Sequence, residues 1–342
     1  MTNGRAACVR LLCACLASLL LYGLAFGFVV DRPLSLGFLR HQLDAKLARA
    51  ASIDGPKLVI LAGSNGPYSH RCELIEPVLA MPCVNGGIAV GIGLDYLFAR
   101  WQPLLHPGDL VDLPMEEAQY VRTRAATEVG PDAAIMFRHD WRTLASLAPE
   151  RWLGALFAFD LRAALMGPIE ATLLIAHFHD PRAAATGAMN VWGDHVGHTA
   201  ELAATSQAVL ASAVPQHPSA MQIGTGYGSA LIADFTRWAS ARGVRVIGGL
   251  STEFAGAAMP DATLDAIRSI YLANGGEFLV LPNFSRYPRS AFFDTAEHLN
   301  EAGQIAHSKL LAEQLRWRLP PIATARPADP GDPPARHNMP ID

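Results

Sequence analysis

Five short apolar runs alternate with longer helical stretches in the chain, and this alternation constrains the fold more than any other feature. The runs are Lys57–Ala62, the residues ending at Val84–Asn85, Asp109–Leu113, Val244–Gly248 and Glu277–Leu281. Their side chains are mainly apolar at consecutive positions, which is typical of strands buried on both faces. The clearest amphipathic stretches are Ala230–Ala241, Ala262–Leu272 and Glu297–Trp317. Strands that alternate with helices predict an α/β fold with a parallel sheet covered on both faces.

The α/β pattern predicts one domain over residues 50–319. An insertion interrupts this domain, and a tail follows it. The stretch at 122–216 is rich in alanine, largely helical in pattern and far longer than an ordinary crossover connection. We interpret it as an inserted helical region between the third and fourth strands. Residues 320–342 are rich in proline and poor in large apolar side chains, which predicts an extended, disordered tail.

Residues 1–31 have the composition of a membrane anchor or a signal segment. Residues 11–30 carry no charged side chain, which matches the roughly 20 apolar residues that cross a bilayer. Arg5 and Arg10 precede this run, as in a signal peptide or signal anchor. No small-residue cleavage site stands out, so we favour an uncleaved anchor, with a cleaved signal as the alternative. Basic residues flank both ends of this run, so the positive-inside rule does not decide its orientation. We predict a bacterial inner-membrane anchor with the domain in the periplasm.

Charge and cysteine content exclude two classes of protein. The chain has 27 basic and 31 acidic residues, a net charge of −4 and no basic block. This balance excludes a nucleic-acid partner bound through bulk charge. Five cysteines are too few and too oddly placed for a disulfide scaffold. Cys8, Cys13 and Cys15 lie in or beside the apolar segment, whereas Cys72 and Cys83 either pair in an oxidising compartment or remain free thiols.

The residues just after the strands are the candidates for a functional site, because ligands bind outside the carboxyl ends of parallel strands. Ser64 follows the first strand on a turn of small residues. Serine is a weak nucleophile unless a base removes its proton. His298 is the best candidate base, and Asp294 is near enough in sequence to orient its imidazole. Gly87, after the second strand, has a backbone N–H that can approach an oxyanion where a side chain would block it.

This order of residues resembles the SGNH/GDSL hydrolase superfamily. Ala-Gly-Ser at 62–64 stands where that family has Gly-Asp-Ser, and Asn-Gly-Gly at 85–87 matches its Asn-x-Gly block. Asp294 and His298 match its Asp-x-x-His block with one extra residue between them. The sequence around 293–303 is similar to proteins of bacterial exopolysaccharide acylation systems of the cellulose and alginate type.

The resemblance implies a three-layer, flavodoxin-like parallel sheet and a catalytic triad of Ser64, His298 and Asp294. It also implies ester hydrolysis or O-acyl transfer on an exopolysaccharide such as cellulose, without a cofactor. The backbone N–H groups of Ser64 and Gly87 would hold the oxyanion. The implied partners are an acylated glycan and an inner-membrane acyltransferase or polysaccharide synthase complex.

The sequence departs from the family pattern at the oxyanion hole. The family's third block supplies an Asn side chain, whereas Glu116 and Glu117 follow the third strand here, and a carboxylate would repel an oxyanion. Either Asn65 or Asn190 replaces that donor, or the activity is weak, altered or lost. Asn65, Asn85 and Glu116 therefore join the candidate substrate-binding residues. The competing hypothesis is a weak or inactive glycan-binding accessory subunit of a polysaccharide synthesis or export complex.

A second group of histidines and aspartates has the composition of a metal site without its spacing. The group comprises His177, His179, Asp180, Asp194, His195 and His198. Histidine and carboxylate side chains bind zinc, but this spacing matches no metal motif. We therefore predict no metal, and a metal-dependent hydrolase is the third alternative.

Overall fold

A computed structural model describes residues 2–28, 34–157, 188–256 and 258–319 and contains the predicted parallel sheet. The strands are β1 Leu58–Ile60, β2 Cys83–Asn85, β3 Leu110–Leu113, β4 Ala188–Met189, β5 His195–Val196, β6 Arg245–Gly249, β7 Glu253–Phe254, β8 Glu277–Leu279 and β9 Arg286–Tyr287. The main sheet has five strands in the order β2-β1-β3-β6-β8, and every pairing in it is parallel. β4 and β5 form a small antiparallel ribbon, and β7 pairs with β9.

Helices account for most of the remaining described chain. They are α1 Thr2–Phe28, α2 Leu34–Ala51, α3 Asn65–Ser69, α4 Cys72–Leu79, α5 Leu94–Trp101, α6 Glu117–Val121, α7 Arg124–Glu128, α8 Pro131–His139, α9 Trp141–Ser146, α10 Pro149–Phe157, α11 Ala200–Ala203, α12 Gln207–Ser212, α13 Ala220–Thr225, α14 Tyr227–Ser240, α15 Asp261–Leu272 and α16 Glu301–Arg316. Short 3₁₀ turns cover Gln102–Leu104, Ala204–Ser206 and Arg289–Ala291.

Alternate residues of β1 pack into two hydrophobic clusters on opposite faces of the sheet, as the pleat of a strand requires. Leu58 and Ile60 pack in the cluster that includes Leu311 of α16 and residues of α4. Val59 packs in the larger cluster, which includes Phe235 of α14 and residues of α5 and α15. Both faces of the sheet are therefore covered, as the continuous apolar strands predict.

The last helix begins later than the sequence predicts, and the difference changes the setting of the candidate triad. The amphipathic pattern predicts a helix from Glu297, but α16 begins at Glu301, with the Asn300 side chain accepting a hydrogen bond from the N–H of Gly303. Asparagine at this position favours a helix start. Asp294 and His298 therefore lie on the loop before α16 rather than on its first turn.

The N-terminal helix is long and apolar enough to be a membrane anchor or a signal sequence. Within α1, residues Gly4–Tyr22 have a mean hydropathy of 1.8, and none of this segment is buried against the rest of the chain. Cys72 and Cys83 form a disulfide that joins the start of α4 to the start of β2. The sequence left this pairing open.

The described part of the 122–216 stretch contains α7 to α10, the β4–β5 ribbon, and α11 and α12. Arg151 of α10 is buried and forms ion pairs with Asp95 of α5 and Asp132 of α8. These ion pairs tie the helices of this stretch to the α/β domain. His177, His179 and Asp180 lie outside the described residues, as does the tail at 320–342.

Candidate active site

The candidate site lies where the strand order of the sheet reverses. β1 has β2 on one side and β3 on the other, and the next two strands follow beyond β3. In open parallel sheets, ligands bind at such a switch point, outside the carboxyl ends of the strands. Ser64 follows β1 and begins the short helix α3, and Glu116 follows β3.

Asp294 and His298 form a hydrogen-bonded pair on a closed loop. Asp294 Oδ1 lies 2.6 Å from His298 Nδ1, and the exposed fractions of the two side chains are 33% and 12%. The loop is closed by a hydrogen bond from the Phe293 N–H to the His298 carbonyl, at 2.8 Å. Ser69 and Thr252 both donate hydroxyl hydrogen bonds to the Glu297 carbonyl, at 2.9 and 2.7 Å. The pair is therefore anchored to α3. Asp294 holds Nδ1 of the imidazole, so Nε2 is the nitrogen that can face a substrate.

Tyr68 supports the imidazole of His298 by stacking. The two ring centroids are 4.3 Å apart and the ring planes differ by 9°. The Tyr68 ring stacks equally closely on His195, at 4.3 Å and 19°. Tyr68 belongs to the helix that Ser64 begins, so the stack fixes the base relative to the candidate nucleophile.

The Ser64 side chain lies next to the Glu116 carboxyl group and acts to lower its pKa. No hydrogen bond joins Ser64 to His298, both of which are described. The Asn65 N–H also donates to Glu116 Oε1, at 3.1 Å. The Glu116 side chain is buried, and a Cβ at Gly63 would lie 2.5 Å from Glu116 Oε1. The carboxyl group therefore lies against the Ser64 turn, close to Gly63.

Burial raises the pKa of the Glu116 carboxyl above its ordinary value. The positive charge available on His298 and the hydrogen bonds from Asn65 and Ser64 act in the opposite direction. A carboxylate at this position would oppose a developing oxyanion on a substrate bound at Ser64.

The predicted amide donors are engaged in supporting the turn. The Gly87 N–H faces Asn85 Oδ1 at 3.4 Å, and Asn85 Nδ2 donates to the Gly66 carbonyl and to Asp194. Asn65 Nδ2 donates to the Pro114 carbonyl, at 2.7 Å. These bonds hold the ends of β1, β2 and β3 together beneath α3.

Asn190 and Asp194, two further candidates from the sequence, form a hydrogen-bonded pair beside α4. Asn190 Nδ2 donates to Asp194 Oδ2 at 3.1 Å, and Asp194 accepts the backbone N–H groups of Cys72 and Glu73. Burial raises the pKa of the Asp194 carboxyl, whereas these hydrogen bonds lower it. Asp194 therefore has a structural role in fixing α4 beside β2.

His195 and His198 of the predicted histidine group pack beside Tyr68. Burial lowers the pKa of His195 to about 3 and that of His198 to about 4. Both imidazoles are thus neutral at pH 7 and present buried ring nitrogens without a hydrogen-bond partner among the described residues. Their packing gives an aromatic wall beside His298.

A second polar cluster, which was not predicted from the sequence, borders the Ser64 turn. Glu117, His217 and Glu253 each offer an atom suited to bind a metal ion, and these atoms lie within 4.8 Å of one another. Glu117 and Glu253 follow β3 and β6. Residues just after parallel strands lie at the carboxyl edge of the sheet, so these two carboxylates could have been expected there, as Glu116 was. His217 gives no comparable signal, because it follows a long connection and precedes a proline.

Comparison of the chain with protein-family models, curated proteins and solved structures finds no significant match. The resemblance to SGNH/GDSL hydrolases therefore remains a prediction from the motifs.

Proposed function

We propose that the chain is an SGNH-like serine esterase or O-acyltransferase that acts on acyl groups of an exopolysaccharide such as cellulose. The observation that carries the proposal is the Asp294–His298 hydrogen bond of 2.6 Å, fixed by Tyr68 to the helix that Ser64 begins. A serine at the end of the first strand and an oriented imidazole at the same sheet edge supply a nucleophile and its base.

In the proposed reaction, Ser64 Oγ attacks the ester carbonyl and His298 Nε2 takes the hydroxyl proton. Asp294 holds the imidazole tautomer and stabilises the imidazolium that forms. His298 then returns the proton to the departing alkoxide, and an acyl-serine remains. Water releases the acyl group in a hydrolase, whereas a sugar hydroxyl accepts it in a transferase. Before attack, the Ser64 hydroxyl must come within hydrogen-bonding distance of His298 Nε2.

The proposed location is the periplasmic face of an inner membrane. The apolar helix α1 supports attachment to a membrane or export across it. The Cys72–Cys83 disulfide supports an oxidising compartment for the α/β domain.

Glu116 favours a second candidate, a glycan-binding accessory subunit without esterase activity. Its carboxyl group lies against the Ser64 hydroxyl and the Asn65 N–H, where an active esterase needs donors for an oxyanion. In an accessory subunit the same carboxylate would accept hydrogen bonds from sugar hydroxyl groups.

Labelling of the full chain with a fluorophosphonate probe distinguishes the two candidates. The esterase proposal predicts labelling of Ser64 that is lost in Ser64→Ala and strongly reduced in His298→Ala. Ser212→Ala is the matched control, because Ser212 is exposed and donates only to the local Val209 carbonyl. Labelling that is absent, or that persists in Ser64→Ala, would contradict the proposed nucleophile.

A further inference from the structure

Glu117, His217 and Glu253 bring three potential metal ligands together from distant parts of the chain. Glu117 begins α6 after β3, Glu253 lies in β7, and His217 precedes α13. The Thr263 hydroxyl donates to the carbonyl of Pro218, the residue after His217, and fixes this segment against α15. Imidazole combined with carboxylate suits divalent ions such as Zn²⁺ and Mn²⁺.

The imidazole of His217 is oriented as in a metal-bound histidine. Its side chain is only 10% exposed, and its Nδ1 lies 3.0 Å from each oxygen of the Glu117 carboxylate. Its Nε2 is buried without a hydrogen-bond partner among the described residues. A carboxylate that holds one ring nitrogen of a histidine commonly orients the other towards a metal.

The spacing of the two candidate ligand atoms also fits one shared ion. His217 Nε2 lies 3.9 Å from Glu253 Oε2. Two ligand atoms bound to one ion at about 2.0–2.2 Å are roughly 3–4 Å apart in tetrahedral geometry. An ion would therefore fit between these two atoms after small side-chain shifts, in place of the Arg286 contact to Glu253 Oε2.

The charge around the cluster favours a cation. Glu116, Glu117, Glu253 and Glu297 line a pocket of about 120 Å³. Arg286 is the permanent cation paired with this group, through a contact of 2.7 Å to Glu253 Oε2. Among the described residues, several partly buried carboxyl groups thus lie near the Arg286 guanidinium, and a divalent ion would pair with the carboxyl groups.

We propose that His217 Nε2 and the Glu253 carboxylate bind a divalent transition-metal ion, and that Glu117 orients the imidazole through Nδ1. Water molecules in the pocket would complete its coordination shell. The proposed ligands are distinct from Ser64, His298 and Asp294, and occupancy of the site does not depend on esterase activity.

Calorimetric titration of the full chain in detergent tests the proposal. The protein is stripped with EDTA, dialysed, and titrated with Zn²⁺ and separately with Mn²⁺. Cys8, Cys13 and Cys15 are exposed thiols, so all three are replaced by serine to remove a competing site. We expect one equivalent of Zn²⁺ to bind with a Kd of ~10 µM or lower, and weaker Mn²⁺ binding at the same site.

Two binding variants and two controls complete the experiment. His217→Ala and Glu253→Gln should each weaken Zn²⁺ binding by ~100-fold. His41→Ala and Glu201→Gln alter exposed residues of the same types and should leave it unchanged. Zn²⁺ should also raise the unfolding temperature of the parent protein but not that of Glu253→Gln, which keeps the side-chain shape. Binding that is absent from the parent, or undiminished in both variants, would overturn the proposal.

Discussion

The buried carboxyl of Asp112 should make the stability of the protein depend on pH in a way that one substitution removes. Asp112 lies on the central strand β3, and its Oδ2 is buried without a hydrogen-bond partner among the described residues. Burial raises the pKa of Asp112 from 3.8 to about 7. Its neighbours around a small internal space include His70 and His307, and burial lowers the pKa of both imidazoles.

The direction of the effect follows from the raised pKa. Between pH 3.8 and about 7 the unfolded chain has released the Asp112 proton while the folded chain still holds it, so stability falls as pH rises. At about 1.4 kcal/mol for each pKa unit, the full difference is about 4 kcal/mol above pH 7. Asp112→Asn cannot ionise and should lose this dependence. The free energy of unfolding of Asp112→Asn relative to wild type should therefore rise by about 3 kcal/mol between pH 4.5 and pH 8.

Urea unfolding of the full chain in detergent, followed by tryptophan fluorescence, measures this difference at each pH. Asp234→Asn is the matched control, because its side chain is 69% exposed on α14. A stability difference between Asp112→Asn and wild type that stays constant from pH 4.5 to pH 8 would refute the reasoning. It would show that the carboxylate is stabilised inside the fold.

Three further predictions concern the disulfide, the carboxyl beside the nucleophile and the start of the last helix. Replacing Cys72 and Cys83 by serine should lower the free energy of unfolding by about 3 kcal/mol, because the disulfide closes a short loop; an unchanged urea midpoint would contradict this. Glu116→Gln should raise the kcat/KM for p-nitrophenyl acetate by roughly 10-fold or more, because an amide donor replaces a carboxylate at the oxyanion; an equal or lower rate would count against this placement. Asn300→Ala should destabilise the protein by about 1–2 kcal/mol through loss of the helix cap, seen as a lower unfolding temperature; Ser206→Ala is the control, because its side chain makes no capping bond.

The sequence predicts the parallel sheet well, because each strand is a continuous apolar run between turn residues. The same reasoning gave helices α14 and α15 to within a few residues of their observed bounds. The predicted start of α16 was wrong, because the apolar spacing of the helix continues backwards into the preceding loop. Tertiary contacts keep that loop out of the helix. Those contacts, from Ser69 and Thr252 to the Glu297 carbonyl, are not visible in the local sequence.

The candidate site was only partly predictable for a related reason. Asp294 and His298 are close in sequence, so their pairing could be expected from spacing alone. The placement of Glu116 against Ser64 depends on the register between β1 and β3. The contact between His217 and Glu117 joins residues 100 positions apart, and no local pattern indicates it.

The central claim is that Ser64, His298 and Asp294 act together as a nucleophile, a base and its orienting acid. Turnover of p-nitrophenyl acetate by the full chain, compared with Ser64→Ala and His298→Ala, tests it most directly. We predict measurable turnover that falls by about 10³-fold or more in each variant, because the two residues act as a unit. Equal rates in the wild type and both variants would contradict the claim and favour a glycan-binding accessory role.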